Sequence, residues 1–302
     1  MDSGIGLLAA AAALRALRPD ADLVLSSDPD GMPWGPRTPE DVRERALGAA
    51  RAAAEHAPDA LVVACNTATV HALDAIRAEL EPEIPVVGTV PAIKPAALTG
   101  GPVVIWATPA TTGSAYQRGL IRDFAAGVRT AEVACPGLAD AVDRADGEAI
   151  RAAVADAAAR TPRGARALVL GCTHYELVEP EIRAALAARG GGSGSATAAP
   201  GRPAAFGDLV GAPDTAVAAA AAAGELAPSP ALPVLHGSAG AVAAQALRRV
   251  APAAAARQGS AGLVVLRSGR TGRLPAEALR YPAGRALTAA RDPAPASVPA
   301  GR

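Results

Sequence analysis

The stretch ALVLGCTHYEL, residues 167–177, ends a fully apolar run in Gly-Cys and then turns at once to Thr, His and Tyr. About a hundred residues earlier ALVVACNTATV, residues 60–70, repeats the layout. An apolar run of four or five residues followed by a polar turn and a longer segment of helical period reads as a strand giving way to a helix. Four further runs fit the strand pattern: DLVLS (22–26), PVVG (85–88), PVVIWA (102–107) and GLVVL (262–266). Their apolar positions are continuous rather than alternating, which predicts strands buried on both faces in parallel sheets. Ala/Arg/Glu segments of helical period separate them, so the expected class is α/β with doubly wound parallel sheets. Thr38-Pro39-Glu40-Asp41 supplies an N-cap, a proline at the first helical position and acids in the first turn.

Two α/β units follow from this spacing, with a boundary near TVPAIKPA at 89–96. The first is expected to comprise residues 1–90 plus 204–285, and the second residues 91–189. RGGGSGSATAAPGRP ends in a stretch, 190–203, with the composition of a flexible linker. Residues 286–302, rich in Pro and Ala, read as a disordered tail.

The 302 residues carry 29 basic and 29 acidic side chains, so no global field draws nucleic acid or anionic lipid, and neither partner is expected. Aromatic residues are 2% of the chain, which leaves the core to Ala, Val, Leu and Ile. Cys65, Cys135 and Cys172 are odd in number and widely spaced, a pattern that fits free thiols in a reducing cytoplasm. The opening apolar run has Asp2 before it and no basic flank, unlike a secretory signal, and no run is long enough to span a bilayer.

In doubly wound sheets ligands bind at the carboxyl ends of strands. Cys65 and Cys172 both fall there, one in each unit, and facing units would aim two thiols into one cleft. Asn66 and Thr67 follow the first, Thr173 and His174 the second. Amide and hydroxyl groups beside free backbone N–H groups suit a carboxylate, although Thr67 and Thr173 could equally serve as plain helix caps. Cys135, lacking such neighbours, reads as a small buried hydrophobe. An acid and a base on opposite sides of one carbon is what racemisation demands, and a thiol with an ordinary pKa of about 8.5 can serve as either. Pyridoxal phosphate needs a Schiff-base lysine, and the one lysine, Lys94, lies in an expected loop. Metal binding by Cys172 and His174 lacks the usual ligand complement. A Cys-His hydrolase would have to close a two-residue gap.

DSGIG (2–6), MPWGPR (32–37), ACNTAT (64–69), VPAIKPA (90–96), ATPATTGSAY (107–116) and LGCTHY (170–175) together resemble, in order, the motifs of the glutamate racemases. The resemblance implies two pseudo-symmetric domains with the active site in the cleft between them. It implies a cofactor-independent isomerase, without PLP or metal, that supplies D-glutamate for peptidoglycan in the cytoplasm, as a homodimer. Cys65 would take the proton from D-glutamate, assisted by Asp2. Cys172 would take it from L-glutamate, assisted by His174 with Asp143 behind it. Asp2, Ser3, Trp34, Gly35, Asn66, Thr67, Thr108, Thr111, Thr173 and His174 would bind substrate. Plainer roles exist: caps for Asp2, Ser3, Thr108 and Thr111, a turn for Gly35, a solvated surface for Asp143.

Departures from the pattern open two alternatives. Trp34 stands at a usual Tyr and Glu176 at a usual Pro, which points to a racemase of another, aspartate-like amino acid. The family carries an apolar strand ahead of its Asp-Ser-Gly, whereas this sequence opens Met1-Asp2. The first sheet is then expected to have an unfilled position, either because the start is placed late or because the chain is an impaired, amino-acid-binding regulatory relative.

Overall fold

Apolar runs that would leave a helix with no polar face favour strands of parallel sheets with helices on both faces. The computed structural model describes residues 1–190 and 232–289. Their contacts divide them into two units, residues 1–89 with 239–289, and residues 90–190 with 232–238. Both units are parallel or mixed sheets with helices packed on either side.

The first unit runs α1 (Leu7–Leu17), β1 (Leu23–Ser27), α2 (Pro39–Ala54), β2 (Leu61–Val63), α3 (Asn66–Leu80) and β3 (Val86–Gly88). Thr38 caps α2 as expected, accepting from the Asp41 amide at 3.3 Å. β2 and β3 pair in parallel, with Leu61 opposite Val86. α2 and α3 pack together, and Val42, Ala46, Val63, Ala68, Ala72 and Ile76 build a core of small side chains between them and β2.

The second unit comprises α4 (Ile93–Ala97), β4 (Val103–Ala107), α5 (Ala115–Phe124), β5 (Thr130–Ala134), α6 (Leu138–Asp143), α7 (Gly147–Arg160), β6 (Ala167–Leu170), a 3₁₀ turn (Thr173–Val178), α8 (Glu179–Gly190) and β7 (Val234–His236). Its four strands are all parallel in the order β5-β4-β6-β7. Every residue of β4 and β6 is buried, as continuous apolar runs require. Trp106, the largest side chain in β4, meets its polar obligation by donating Nε1–H to Thr161 Oγ1 at 2.8 Å. Lys94 lies on α4 rather than in a loop, exposed.

The chain then returns to the first unit through α9 (Ala239–Arg249), α10 (Pro252–Ala255), β8 (Leu263–Arg267), β9 (Arg270–Gly272) and α11 (Pro282–Ala289). β8 pairs with β1 in parallel, Leu23 opposite Leu263. Three expectations are corrected here. β9 is antiparallel to β8, because a two-residue hairpin at Ser268-Gly269 folds the chain back on itself, so this sheet is mixed. β7, within the stretch assigned to the first unit, pairs with β6 instead, since β6 offers it an edge in register Ala167 to Val234. The described part of the expected tail is helical, because α11 runs to Ala289 and buries Leu287 while packing on α1. The expected linker, beyond Gly190, and the rest of the tail lie outside the described residues.

Met1 and Asp2 form a stub between β1 and β2. The Met1 ammonium donates to Val62 O at 2.7 Å, the Ala64 amide donates to Met1 O at 2.9 Å, and the Asp2 amide donates to Ser26 O at 3.1 Å. Asp2 bridges Ser27 in parallel sense. Beside Met1 and between the same two strands opens a cavity of 570 Å³, lined by apolar side chains such as Leu7, Leu14, Val24, Val62 and Val250.

Burial pushes the Met1 ammonium down to about 6 from its ordinary 8.0, a fall that nearby Asp2 and Cys65 only partly offset. Below pH 6 folded and unfolded chains both carry the proton and the fold bears the whole burial cost. Between 6 and 8 the folded chain sheds a proton that the unfolded chain keeps, so the cost fades, and it is gone above 8. Stability should therefore rise by about 2 kcal/mol from pH 6 to pH 8. Urea unfolding of the free and the N-acetylated chain checks this, since acetylation should flatten the rise.

Candidate active site

The two cysteines have nearly the same backbone. Cys65 caps α3 at φ −139°, ψ 120°, and Cys172 caps the 3₁₀ turn at φ −141°, ψ 137°. Each follows a strand buried along one edge by its parallel neighbour and precedes the first turn of a helical segment. The second segment begins as a 3₁₀ turn and continues as α8, a difference from the α-helical start expected there. Gly171 is needed just before Cys172: its amide donates to Trp106 O at 2.7 Å, and a Cβ would lie 2.6 Å from that oxygen.

In the first unit Cys65 is 6% exposed and touches the core cluster around Val63 and Ala68. The Met1–Asp2 stub runs beside Ala64, the residue before the thiol. Asp2 is buried, and its Oδ1 accepts from the Ser3 amide at 2.6 Å and from Ser3 Oγ at 3.2 Å. α1 is capped at Gly6 without a side-chain bond, so neither Asp2 nor Ser3 is its N-cap. Asn66 and Thr67 open α3, and the N-cap, Cys65, makes no side-chain cap bond. Trp34 is 1% exposed within the core cluster, its indole donating to Asp28 Oδ2 at 3.1 Å. Gly35 sits in the turn that follows.

In the second unit Cys172, His174 and Asp143 form a chain. Cys172 Sγ lies 3.8 Å from His174 Nδ1, and His174 Nε2 lies 3.3 Å from Asp143 Oδ1. The two-residue gap closes where the chain changes direction, Cys172 being extended and the 3₁₀ turn beginning at the next residue. His174 is buried and the Asp143 side chain 23% exposed, so this acid is held against the imidazole rather than free in solvent. An imidazole fixed by a carboxylate and set against a sulfur can pass a proton to or from it. Thr173 is buried beside them. Thr108 and Thr111, beyond β4, share a hydroxyl contact at 3.2 Å, while Ser114 is the residue that caps α5.

Cys135 behaves as a structural thiol. It is buried, and burial pushes it up to about 12. Tyr175, raised well above its ordinary value by burial, donates to Cys135 O at 3.4 Å and so ties the 3₁₀ turn to the end of β5. Among the described residues no group of three or more His, Cys, Asp and Glu is placed to hold a metal ion, and no helix is long and apolar enough to cross a membrane.

The contact that sequence reasoning missed is at Glu176, which was visible only as an unusual residue. Its Oε1 accepts from both the amide and the hydroxyl of Ser238, at 2.7 and 2.9 Å. No pattern in the sequence joins positions 62 residues apart.

Comparison with known proteins places the chain in a family. The chain is 37% identical over 192 residues to a glutamate racemase of Stutzerimonas stutzeri (strain A1501), covering 60% of this chain and 70% of that protein. It is 37% identical over 188 residues to one from Roseiflexus sp. (strain RS-1), covering 61% and 69%. Among solved structures, Escherichia coli glutamate racemase in complex with L-glutamate and the activator UDP-MurNAc-Ala is similar at a TM-score of 0.65 and 25% identity, over 92% of this chain and 90% of that one. The Thermus thermophilus glutamate racemase shares the fold at a TM-score of 0.60 and 23% identity, over 95% and 90%. The family signature of Asp/Glu/Hydantoin racemase matches residues 7–194. This chain therefore belongs to the Asp/Glu/hydantoin racemase family and is an isomerase.

Proposed function

We propose that this protein interconverts L- and D-glutamate without a cofactor, with Cys65 and Cys172 as acid and base on opposite faces of the α-carbon. One observation carries the reading: the two units present a thiol at the same place, after a parallel strand, in the same backbone conformation, with polar residues next in line. Relatives named as glutamate racemases supply the substrate.

Removing the α-proton of L-glutamate falls to Cys172, whose sulfur lies beside His174 and, behind it, Asp143. Cys65 then delivers a proton to the other face, and the roles reverse for D-glutamate. Asp2 serves the Cys65 side, within the buried stub that runs past Ala64. The substrate carboxylate and amine are held by Ser3, Gly35, Asn66, Thr67, Thr108, Thr111 and Thr173, with Trp34 acting from the core behind Gly35. The product D-glutamate feeds peptidoglycan synthesis in the cytoplasm, and the working form is a homodimer.

Chiral chromatography after incubation with single enantiomers tests the reading. L-glutamate and D-glutamate should each run down to an equal mixture, and aspartate, one methylene shorter, should react about 10- to 200-fold more slowly. Inversion of aspartate but not glutamate would move the substrate to an aspartate-like acid. Calorimetric binding of glutamate with no inversion would make the chain a binding protein instead.

A further inference from the structure

Within each unit the residue four positions after the cysteine ties the thiol's turn to the neighbouring strand. In the first unit Thr69 Oγ1 donates to Val63 O at 3.5 Å, at the end of β2, and accepts at 3.2 Å from the Thr89 amide, one residue beyond β3, which also donates to Val63 O at 3.0 Å. In the second, Glu176 Oε1 accepts from the Ser238 amide and hydroxyl, two residues beyond β7. β3 is the parallel partner of β2, and β7 is the parallel partner of β6. Both cysteines thus sit on a turn moored at the same point of the same kind of strand pair, once by a hydroxyl and once by a carboxylate. The second mooring is close: a Cβ added at Gly237 would lie 2.5 Å from Glu176 Oε2, so any larger residue there would push the carboxylate aside.

We propose that Thr69 and Glu176 are the positioning residues of the two thiols, each setting the reach of its own cysteine. The proposal rests on the two-thiol reading above. A strand end supplies a rigid N–H, and a single acceptor on the turn converts that rigidity into a fixed sulfur position. An error of about 1 Å in the placement of a reacting group can cost about 100-fold in rate. The two moorings are independent, so loss of one should cripple one thiol and leave the other in place.

The test uses the full chain in deuterated water with each enantiomer of glutamate, following α-deuterium by mass spectrometry and inversion by chiral chromatography. With Cys65 intact and Cys172 displaced, Glu176→Leu should wash deuterium into D-glutamate without inverting it, raising exchange over inversion about tenfold, while exchange into L-glutamate falls 10- to 100-fold. Thr69→Val should give the mirror image. Glu176→Gln and Thr69→Ser keep an acceptor oxygen and should keep the wild-type ratio between enantiomers, which also controls for folding. Equal losses from both enantiomers in Glu176→Leu or Thr69→Val, or conservative variants that behave like the disruptive ones, would overturn the proposal. Iodoacetamide labelling rates, read for each cysteine by peptide mass, separate its failure from failure of the racemase reading. A wild-type chain that does not racemise removes that reading. Unchanged labelling at Cys172 in Glu176→Leu and at Cys65 in Thr69→Val removes the positioning role whatever the substrate.

Discussion

Cys65→Ala and Cys172→Ala should each lower racemisation of glutamate by about 10³-fold or more. A positioned acid or base contributes about 10²–10⁴-fold, and either change removes the only proton carrier proposed for one face of the substrate. The two variants should differ in what they retain. Cys172→Ala keeps exchange into D-glutamate, and Cys65→Ala keeps exchange into L-glutamate. Polarimetry gives the common loss, and deuterium incorporation gives the difference. Both should fold, since Cys172 is partly exposed and the sulfur of Cys65 is a small part of the core that Val63, Ala68 and Ile76 share. Racemisation within tenfold of the unaltered chain in either variant would mean that its sulfur is not a proton carrier.

A short apolar strand placed ahead of Met1, such as Ile-Val-Ile-Val, should raise the melting temperature by about 5–15 °C over a Gly/Ser lead of the same length. Leu23 donates across to Gly262 O at 3.0 Å, which turns the backbone of Val24 toward the cavity by the alternation of a parallel ladder. Val62 O and Ser26 O, which face the same space, already accept from Met1 and Asp2. A lead would extend that ladder, parallel to both strands, into the 570 Å³ space. Each buried Val or Ile contributes about 1.5–3 kcal/mol, against about 1–2 kcal/mol for ordering its backbone. Ladder hydrogen bonds add about 1 kcal/mol each, and a gain of a few kcal/mol moves the midpoint of a chain this size by several degrees. The lead also turns the buried ammonium into an amide, so the rise in stability between pH 6 and 8 should vanish. Equal melting temperatures for the two leads would show that the cavity does not accept a strand.

Strands were legible where the apolar run is continuous. All six apolar runs became β1, β2, β3, β4, β6 and β8, within a residue or two at each end. The three that were missed lack that signal. β5, TAEVA, alternates Thr130 and Glu132 with buried Ala131 and Val133. β7 is three residues at a sheet edge, and β9, Arg-Thr-Gly, is exposed throughout. What places them is an edge offered by a neighbouring strand, which no local pattern encodes. The same division holds at the site. Two thiols at strand ends were readable because strand, cysteine and polar turn are contiguous. Asp143 entered only through resemblance, since nothing local links it to a histidine 31 residues away. The Glu176–Ser238 bond depends on β7 joining β6, so it could not be read before the sheet was known.

Early turnover of L-glutamate in deuterated water tests two opposed thiols most directly. If Cys172 removes the proton and Cys65 returns another, the first D-glutamate formed is fully deuterated at the α-carbon while the remaining L-glutamate is still protiated. The same experiment begun from D-glutamate should give the mirror result. D-glutamate that carries the original hydrogen from the first turnovers would mean that one group moves the proton between faces, and the two-thiol account would be wrong.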